Sequence, residues 1–209
     1  MDFHTFTKAI EKRLTEPLPG HQMFFERTGL KIIPRNNEVA KDAKKSAVLI
    51  LFYPQENEIF LPLILRPPYD GTHGGQVAFP GGRMEPMDES YERTALREAQ
   101  EEIGIRSLDV EILGGLSELY IPPSKYWVKP IVGKINYKPT FYPDQREVAK
   151  VLKISLEELR NPEKIKQKQI MVRGQTFTTS GFELSDEWVW GATALMIGEL
   201  LEILPTLHR

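Results

Sequence analysis

Hydrophobic residues in the first part of the chain recur at two spacings, which predict one helix followed by two strands. Four apolar residues share the spacing of one helical face: Phe3, Phe6, Ile10 and Leu14. Prolines and a glycine at 17–20 end that pattern. The run 46–53 is continuously apolar and the run 59–66 follows after a short turn, so we expect a pair of buried strands there.

The centre of the chain combines a short extended segment, a glycine pair and one acidic helix. The segment 77–79 leads through a proline into Gly81 and Gly82. A helix of about 15 residues is predicted from Asp88 as the N-cap to Gly104 as the terminating residue. Its apolar stripe is formed by Tyr91, Ala95, Leu96, Ala99 and Ile103. Three glutamates lie beside that stripe: Glu98, Glu101 and Glu102.

The second half of the chain is dominated by alternating segments typical of strands. Strands are predicted over 110–121, 127–137 and 147–154, and a hairpin over 169–178. Ser155 and Glu158 form a capping box for a short helix, and a last helix follows at 192–203. Strands on both sides of one central helix favour an α+β sandwich. We divide the chain into an N-terminal helical extension and linker (1–45) and a main domain (46–209).

Composition and charge exclude several function classes. The 209 residues carry a net charge of −2 and no cysteine. A basic field for nucleic acid is absent, as are disulfides and thiolate metal sites. The first residues lack the apolar centre of a signal peptide, and no apolar run reaches the length of a membrane span. We therefore expect a cytoplasmic protein that binds neither nucleic acid nor membranes.

The acidic helix is overcharged unless a cation binds it. Residues 83–102 hold seven acidic and three basic side chains, a local charge of −4. Carboxylates three and four residues apart repel one another, and acids at a helix C-terminus oppose the helix dipole. The face is either solvated or a metal site. Clustered carboxylates select Mg²⁺ or Mn²⁺, which commonly share their site with substrate phosphates. The Gly81 carbonyl is a further candidate ligand, and Arg97 a candidate partner for Glu101 or another nearby acid.

The central stretch resembles the Nudix box, G-x5-E-x7-R-E-U-x-E-E-x-G-U, in which U is apolar. Seven positions fit: Arg97, Glu98, Ala99, Glu101, Glu102, Gly104 and Ile105. The front of the box is one residue longer than the pattern. Counting back from Arg97 gives Glu89 as the first acid, whereas counting forward from Gly82 gives Asp88. We associate such an insertion with the coenzyme A diphosphatase branch of the superfamily.

Upstream residues resemble the signature of that branch, L-L-T-x-R-[SA]-x3-R-x3-G-x3-F-P-G-G. The matching residues are Leu63, Arg66, Gly75, Phe79, Pro80, Gly81 and Gly82. It is not matched everywhere: among the departures, Ile64 replaces Thr, Pro67 replaces Ser or Ala, and Gly71 replaces the second Arg. The missing Arg removes a candidate phosphate contact. The resemblance continues through 128–132, 147–151 and 190–194, and so covers about 46–195.

The resemblance implies a Nudix-type α/β/α sandwich, with a mixed sheet and the box as a loop–helix–loop. It implies that Glu101 and Glu102 bind the metal, with Glu98 as a ligand or base and the Gly81 carbonyl completing the set. Glu147 is the expected distal acid, either a second-metal ligand or the base. Arg97 orients the glutamates, and Arg66 and Gly82 contact the substrate.

The implied reaction is the metal-dependent hydrolysis of a diphosphate linkage in a small nucleotide. The first candidate substrate is coenzyme A, which would give 3′,5′-ADP and 4′-phosphopantetheine. The alternatives are ADP-ribose, a dinucleoside polyphosphate or a nucleoside triphosphate, and a Nudix-fold binding domain without turnover. The N-terminal extension either covers a sheet edge or supplies a homodimer contact.

Overall fold

The computed structural model describes residues 1–27, 40–68, 73–172 and 174–206. The helices in this part of the chain are Phe3–Leu14 (α1), Met23–Arg27 (α2), Tyr91–Ile103 (α3), Leu156–Arg160 (α4) and Gly191–Ile203 (α5). The first six strands are Lys44–Gln55 (β1), Glu58–Leu65 (β2), Val77–Ala78 (β3), Gly81–Arg83 (β4), Glu111–Gly115 (β5) and Leu119–Ile121 (β6). The others are Tyr126–Lys134 (β7), Lys150–Ser155 (β8), Ile165–Val172 (β9), Gln175–Leu184 (β10) and Glu187–Trp190 (β11).

Strand β1 lies at the centre of a mixed sheet. It runs parallel to β7 and antiparallel to β2 and β4. The same sheet takes up β3, β5, β6 and β8, while β9, β10 and β11 form a second, three-stranded sheet. Strand β4 pairs with β1 at 46–48 and β2 pairs with it at 53–55, so the two neighbours separate in between. This confirms the predicted α+β fold with a mixed sheet.

Alternation along β1 builds a hydrophobic core on each face of the sheet. Ala47, Leu49 and Leu51 pack with the apolar stripe of α3. Ile50 and Phe52 belong to the opposite core, which also includes side chains from α1 and α5. Successive side chains of a strand point to opposite faces, so one fully apolar strand can serve two helical layers. The result is an α/β/α sandwich.

Helix α1 has the predicted limits and shares the second core. Asp2 caps it by accepting a hydrogen bond from the Thr5 N–H at 2.9 Å. Phe6 and Ile10 are fully buried, and the Phe6 ring meets Phe52 edge-on at 5.1 Å. The segment predicted as an extension thus contributes to the main core. Residues 28–39 lie outside the described residues, and the division at residue 45 stays a prediction.

Some predicted boundaries are corrected by the structure. Helix α3 begins after Ser90, whose hydroxyl accepts from the Arg93 N–H at 3.3 Å, so Asp88 is not the N-cap. Gly104 does end the helix in the left-handed conformation, with φ of 73°. Strand β8 begins at Lys150, which leaves Glu147 in the preceding turn.

Two further local predictions were partly wrong. The single strand predicted over 110–121 is divided into β5 and β6. Ser155 caps α4 as predicted, but the Glu158 carboxylate accepts from the Ser185 N–H at 2.6 Å, so the capping box is not reciprocal. For Glu158, a tertiary partner replaced the predicted local hydrogen bond. Within the described residues, no helix is long and apolar enough to cross a membrane.

We predict that Phe6→Ala lowers the free energy of unfolding by about 3–5 kcal/mol, because it leaves a cavity against Phe52. His4→Ala, at an exposed position of the same helix, is the control and should change stability by less than about 0.5 kcal/mol. Urea unfolding of both variants measures the difference. A Phe6→Ala protein as stable as the control would show that α1 is dispensable for the core.

Candidate active site

Three carboxylates from two parts of the chain meet at the junction of α3 and β4. Glu98, Glu102 and Glu147 each place a carboxylate oxygen within 4.8 Å of the others. Glu98 and Glu102 are one helical turn apart and share a face of α3. Glu147 joins them because the Asp144 N–H donates to the Glu102 carbonyl and the Glu147 N–H to the Asp144 carbonyl, each at 3.0 Å. These bonds anchor the turn before β8 to the end of α3.

Glu102 is the most deeply buried of the three. Only 1% of its surface is exposed, and the Gly81 N–H donates to its Oε2 at 2.7 Å. Burial raises the pKa of Glu102 to about 7, although the Arg66 charge and the Gly81 N–H act in the opposite direction. Arg66 Nη2 lies 3.1 Å from Oε1 as an ion pair without hydrogen-bond alignment. The same nitrogen donates to the Gly81 carbonyl at 3.0 Å.

The glycine pair lets the backbone come close to the acids. A Cβ on Gly82 would lie 2.5 Å from Glu98 Oε1, and a Cβ on Gly81 would lie 2.3 Å from the Ala47 carbonyl. Both distances are too short for any side chain. Gly81 therefore allows β4 to pair with β1, and Gly82 allows the Glu98 carboxylate to rest on the strand. Burial is also the largest cause of the raised pKa of Glu98.

Arg97 connects the helix to the loop that precedes it. Its Nη2 donates to Asp88 Oδ2 at 2.9 Å, to Glu98 Oε1 at 3.0 Å and to the Arg83 carbonyl at 3.0 Å. Its Nη1 donates to Glu101 Oε2 at 2.9 Å. The hydrogen bond from Arg97 is the largest cause of the lowered pKa of Asp88. Arg97 thus fixes the direction of the Glu98 carboxylate toward the cluster.

The structure decides between the two alternatives at the front of the acidic motif. Asp88 is buried and binds Arg97, and its carboxylate also accepts from the Glu85 N–H at 2.9 Å and the Thr94 hydroxyl at 3.1 Å. Glu89 is exposed. The first acid of the motif is therefore Asp88, and the additional residue is accommodated after it. Sequence spacing alone does not distinguish the two acids, because Glu89 lies at the expected distance from Arg97 and Asp88 at the expected distance from Gly82.

Most of the predicted site residues come together here. Glu98, Glu102 and Glu147 form the cluster, and Gly81, Gly82, Arg66 and Arg97 surround it. Glu101 is outside the three-carboxylate group; 58% of its side chain is exposed and it pairs with Arg97. Its role as a metal ligand stays a prediction, as do the roles assigned to the other residues. Gly71 lies outside the described residues.

The donor set suits a hard divalent cation. The three side chains offer only carboxylate oxygens, which Mg²⁺ and Mn²⁺ prefer. Glu102 Oε1 is buried without a hydrogen bond, although buried carboxylate oxygens normally have one. A cation held by Glu98, Glu102 and Glu147 would satisfy that oxygen and offset the repulsion among the three charges.

Comparison with known proteins places this arrangement in a family. The model of the NUDIX domain matches residues 43–172. The chain belongs to the Nudix hydrolase family. The Photorhabdus laumondii protein named uncharacterized Nudix hydrolase NudL is 32% identical over 179 residues, which are 86% of this chain and 95% of that protein. A Yersinia pestis protein of the same name is 35% identical over 69% of this chain and 77% of its own length.

The fold agrees with this assignment. The crystal structure of RenU, a Nudix hydrolase from M. smegmatis, aligns with a TM-score of 0.55 over 79% of this chain and 90% of its own, at 18% sequence identity. As a member of the Nudix hydrolase family, the protein is a pyrophosphohydrolase that acts on a nucleotide diphosphate derivative. Enzymes of this family generally need a divalent metal ion, and the carboxylate cluster fits one. The alternative of a Nudix-fold binding domain without turnover is thereby set aside.

We predict that Asp88→Asn lowers kcat roughly tenfold to hundredfold, because Arg97 then loses its anchor and Glu98 its orientation. The free energy of unfolding should fall by about 1–3 kcal/mol, since Arg97 loses one charged hydrogen-bond partner and keeps Glu98 and Glu101. Glu89→Gln is the matched control and should leave both quantities close to wild type. Equal effects at the two positions would contradict the assignment of Asp88.

A second prediction concerns the pH dependence of stability in the presence of a chelator. The pKa of Glu102 rises from the ordinary 4.5 to about 7 on folding, so the native state binds more protons between these values. Stability therefore falls as pH increases from 4.5 to 7, by about 3 kcal/mol from this group. Urea unfolding at pH 5 and pH 8 should show the fall in wild type and in Glu92→Gln, an exposed control. Glu102→Gln should lose the part of the fall that comes from Glu102 and keep the part that comes from Glu98; retention of the full wild-type fall would refute the burial argument.

Proposed function

We propose that this Nudix hydrolase cleaves the diphosphate linkage of coenzyme A or its derivatives into 3′,5′-ADP and 4′-phosphopantetheine. Hydrolysis of the diphosphate is supported by the cluster of Glu98, Glu102 and Glu147 beside the glycine pair. The choice of coenzyme A is supported by the segment from Gly75 to Gly82 and by the additional residue next to Asp88.

The glutamates of the cluster would bind the cation and accept the proton. Glu98, Glu102 and Glu147 would hold the divalent cation, which offsets charge on the phosphate oxygens and lowers the pKa of water. A water oxygen attacks one phosphorus, the bridging P–O bond breaks, and its electron pair leaves with the second phosphate. The water proton passes to a carboxylate at the cluster.

Two of the glutamates suit the role of proton acceptor. Glu147 is exposed at the rim of the cluster, and the pKa of Glu98 is raised toward the operating pH, which favours a general base. Arg97 keeps Glu98 in place. Arg66 is engaged with Glu102 and the Gly81 carbonyl, so its support for the reaction includes positioning Glu102.

ADP-ribose, dinucleoside polyphosphates and nucleoside triphosphates are the competing substrates, because Gly71 stands where the coenzyme A branch carries an arginine. A panel assay distinguishes them. Coenzyme A, ADP-ribose, NADH and nucleoside triphosphates are offered with Mg²⁺ and with Mn²⁺, and products are identified by mass. We expect 3′,5′-ADP from coenzyme A at the highest kcat/KM. A higher kcat/KM for another substrate would overturn the coenzyme A proposal.

Homodimer formation and a cytoplasmic location stay predictions.

We predict that Glu98→Gln, Glu102→Gln and Glu147→Gln each reduce kcat by about 10²–10⁴-fold while the fold is retained, since each removes a charge from the cluster. Glu101→Gln tests whether Glu101 has the role that the motif gives it or the lesser role that its exposed position indicates. The motif predicts the same loss at Glu101, whereas its exposed position predicts a loss of less than about tenfold. Near-wild-type turnover by Glu102→Gln would rule out the proposed chemistry.

A further inference from the structure

A cavity lies at the edge of β6, away from the carboxylate cluster. Its volume is about 450 Å³, within the range of small-molecule binding sites. It is lined by three kinds of residue: the N-terminal segment 19–22, the segment 117–120, and the single residues Trp127 and Leu195. The proposed reaction leaves this cavity without a role.

Two aromatic rings and one carboxylate give the cavity its chemistry. The Tyr120 and Trp127 rings are half-buried, with centroids 6.4 Å apart and planes tilted by 35°. Trp127 Nε1 donates to Glu118 Oε2 at 2.7 Å, which fixes the exposed carboxylate beside the rings. Among the ion pairs of the described residues, none includes Glu118. Such a wall can stack a planar group and accept a hydrogen bond from it.

The inner side of the cavity is formed by polar groups that contact one another. Glu199 of α5 is completely buried and accepts from the Gly20 N–H at 3.2 Å and from the Ser117 hydroxyl. His21 Nδ1 lies 2.9 Å from Glu199 Oε2, and its Nε2 faces the Ser117 carbonyl at 2.8 Å. The serine hydroxyl is bonded to Glu199 instead of the imidazole, so these residues are not a nucleophilic triad. They shape the cavity and leave recognition to Glu118 and the rings.

The cavity lies within reach of a substrate bound at the carboxylate cluster. Strands β4, β1, β7 and β6 are consecutive neighbours, so β4 and β6 are roughly 14 Å apart. Trp127 pairs with Lys45, and Gly82 pairs with Ala47, two residues further along β1. Residues two apart on a strand share a face, so Trp127 is on the same sheet face as Gly82. The cavity therefore extends around the edge of β6, because Leu195 of α5 belongs to the core on the opposite face. The separation is comparable to the length of an extended nucleoside diphosphate.

We propose that this cavity binds an amino-substituted purine base of the substrate, stacked on Trp127 and Tyr120 with its exocyclic amine donating to Glu118. The proposal rests on the nucleotide diphosphate hydrolysis proposed above and adds the part of the substrate that the carboxylate cluster does not contact. Adenine, the base of coenzyme A, is of this class, and hypoxanthine lacks the amine. A carboxylate that only accepts hydrogen bonds should therefore favour adenine over hypoxanthine.

The test measures binding without turnover. ADP and IDP are titrated into the full-length protein by calorimetry in the presence of a chelator. Wild type should bind ADP more tightly than IDP. Trp127→Ala should raise the Kd of ADP roughly tenfold to hundredfold, because a stacking contact is lost. Glu118→Gln is an exposed substitution that keeps the fold, and it should abolish the preference for ADP. Tyr137→Ala removes an exposed ring elsewhere and should leave both Kd values unchanged.

The outcomes separate this inference from the proposed function. If Trp127→Ala and Glu118→Gln both bind ADP within twofold of wild type, the base site is wrong, whatever the enzyme hydrolyses. If ADP binding depends on both residues while coenzyme A is not cleaved, the base site stands and the coenzyme A proposal fails. If coenzyme A is cleaved, Trp127→Ala should raise KM far more than it lowers kcat; an unchanged KM would again overturn the base site.

Discussion

Mutual repulsion among three clustered carboxylates, one of them buried, is the constraint around which the centre of this enzyme is built. Glu98, Glu102 and Glu147 bring oxygens within 4.8 Å of one another, and Glu102 is almost fully buried. Burial, and to a lesser degree the nearby like charges, raises the pKa of Glu98 and of Glu102 and opposes folding. The neighbouring backbone and side chains offset this in part, with the Gly81 N–H and Arg66 directed at Glu102. A divalent cation would supply the remaining positive charge.

The glycine pair and Arg97 are consequences of that constraint. Only glycine lets β4 pass so close to both β1 and the Glu98 carboxylate. Arg97 connects the acidic loop to the site, because Asp88 anchors the guanidinium that orients Glu98. The additional residue in the loop follows this anchor and leaves it unaffected. An insertion in an exposed loop is inexpensive as long as the buried acid keeps its partner.

The N-terminal segment contributes to more than the edge of the molecule. Helix α1 supplies Phe6 and Ile10 to the core beneath the sheet, and residues 19–22 close one side of the cavity beside β6. The buried contacts of His21 and Ser117 with Glu199 join three distant parts of the chain. The predicted extension is thus part of the environment in which the base of the substrate is proposed to bind.

Local patterns in the sequence determined α1, α3, α4 and α5, the central strands and the chemistry of the acidic helix, whereas α2 was not predicted. Periodicity was sufficient for α1 and for the apolar stripe of α3, and the spacing of acids and glycines identified the Nudix box. Tertiary structure decided which carboxylates converge, since helical rotation directs Glu101 outward and the turn before β8 brings Glu147 in. It also identified Asp88, and not Glu89, as the first acid of the motif, because Asp88 is buried beside Arg97. The sequence spacing does not distinguish these two acids. The cavity beside β6 could not be predicted, since its walls come from segments far apart in sequence and meet only through strand pairing and the buried Glu199.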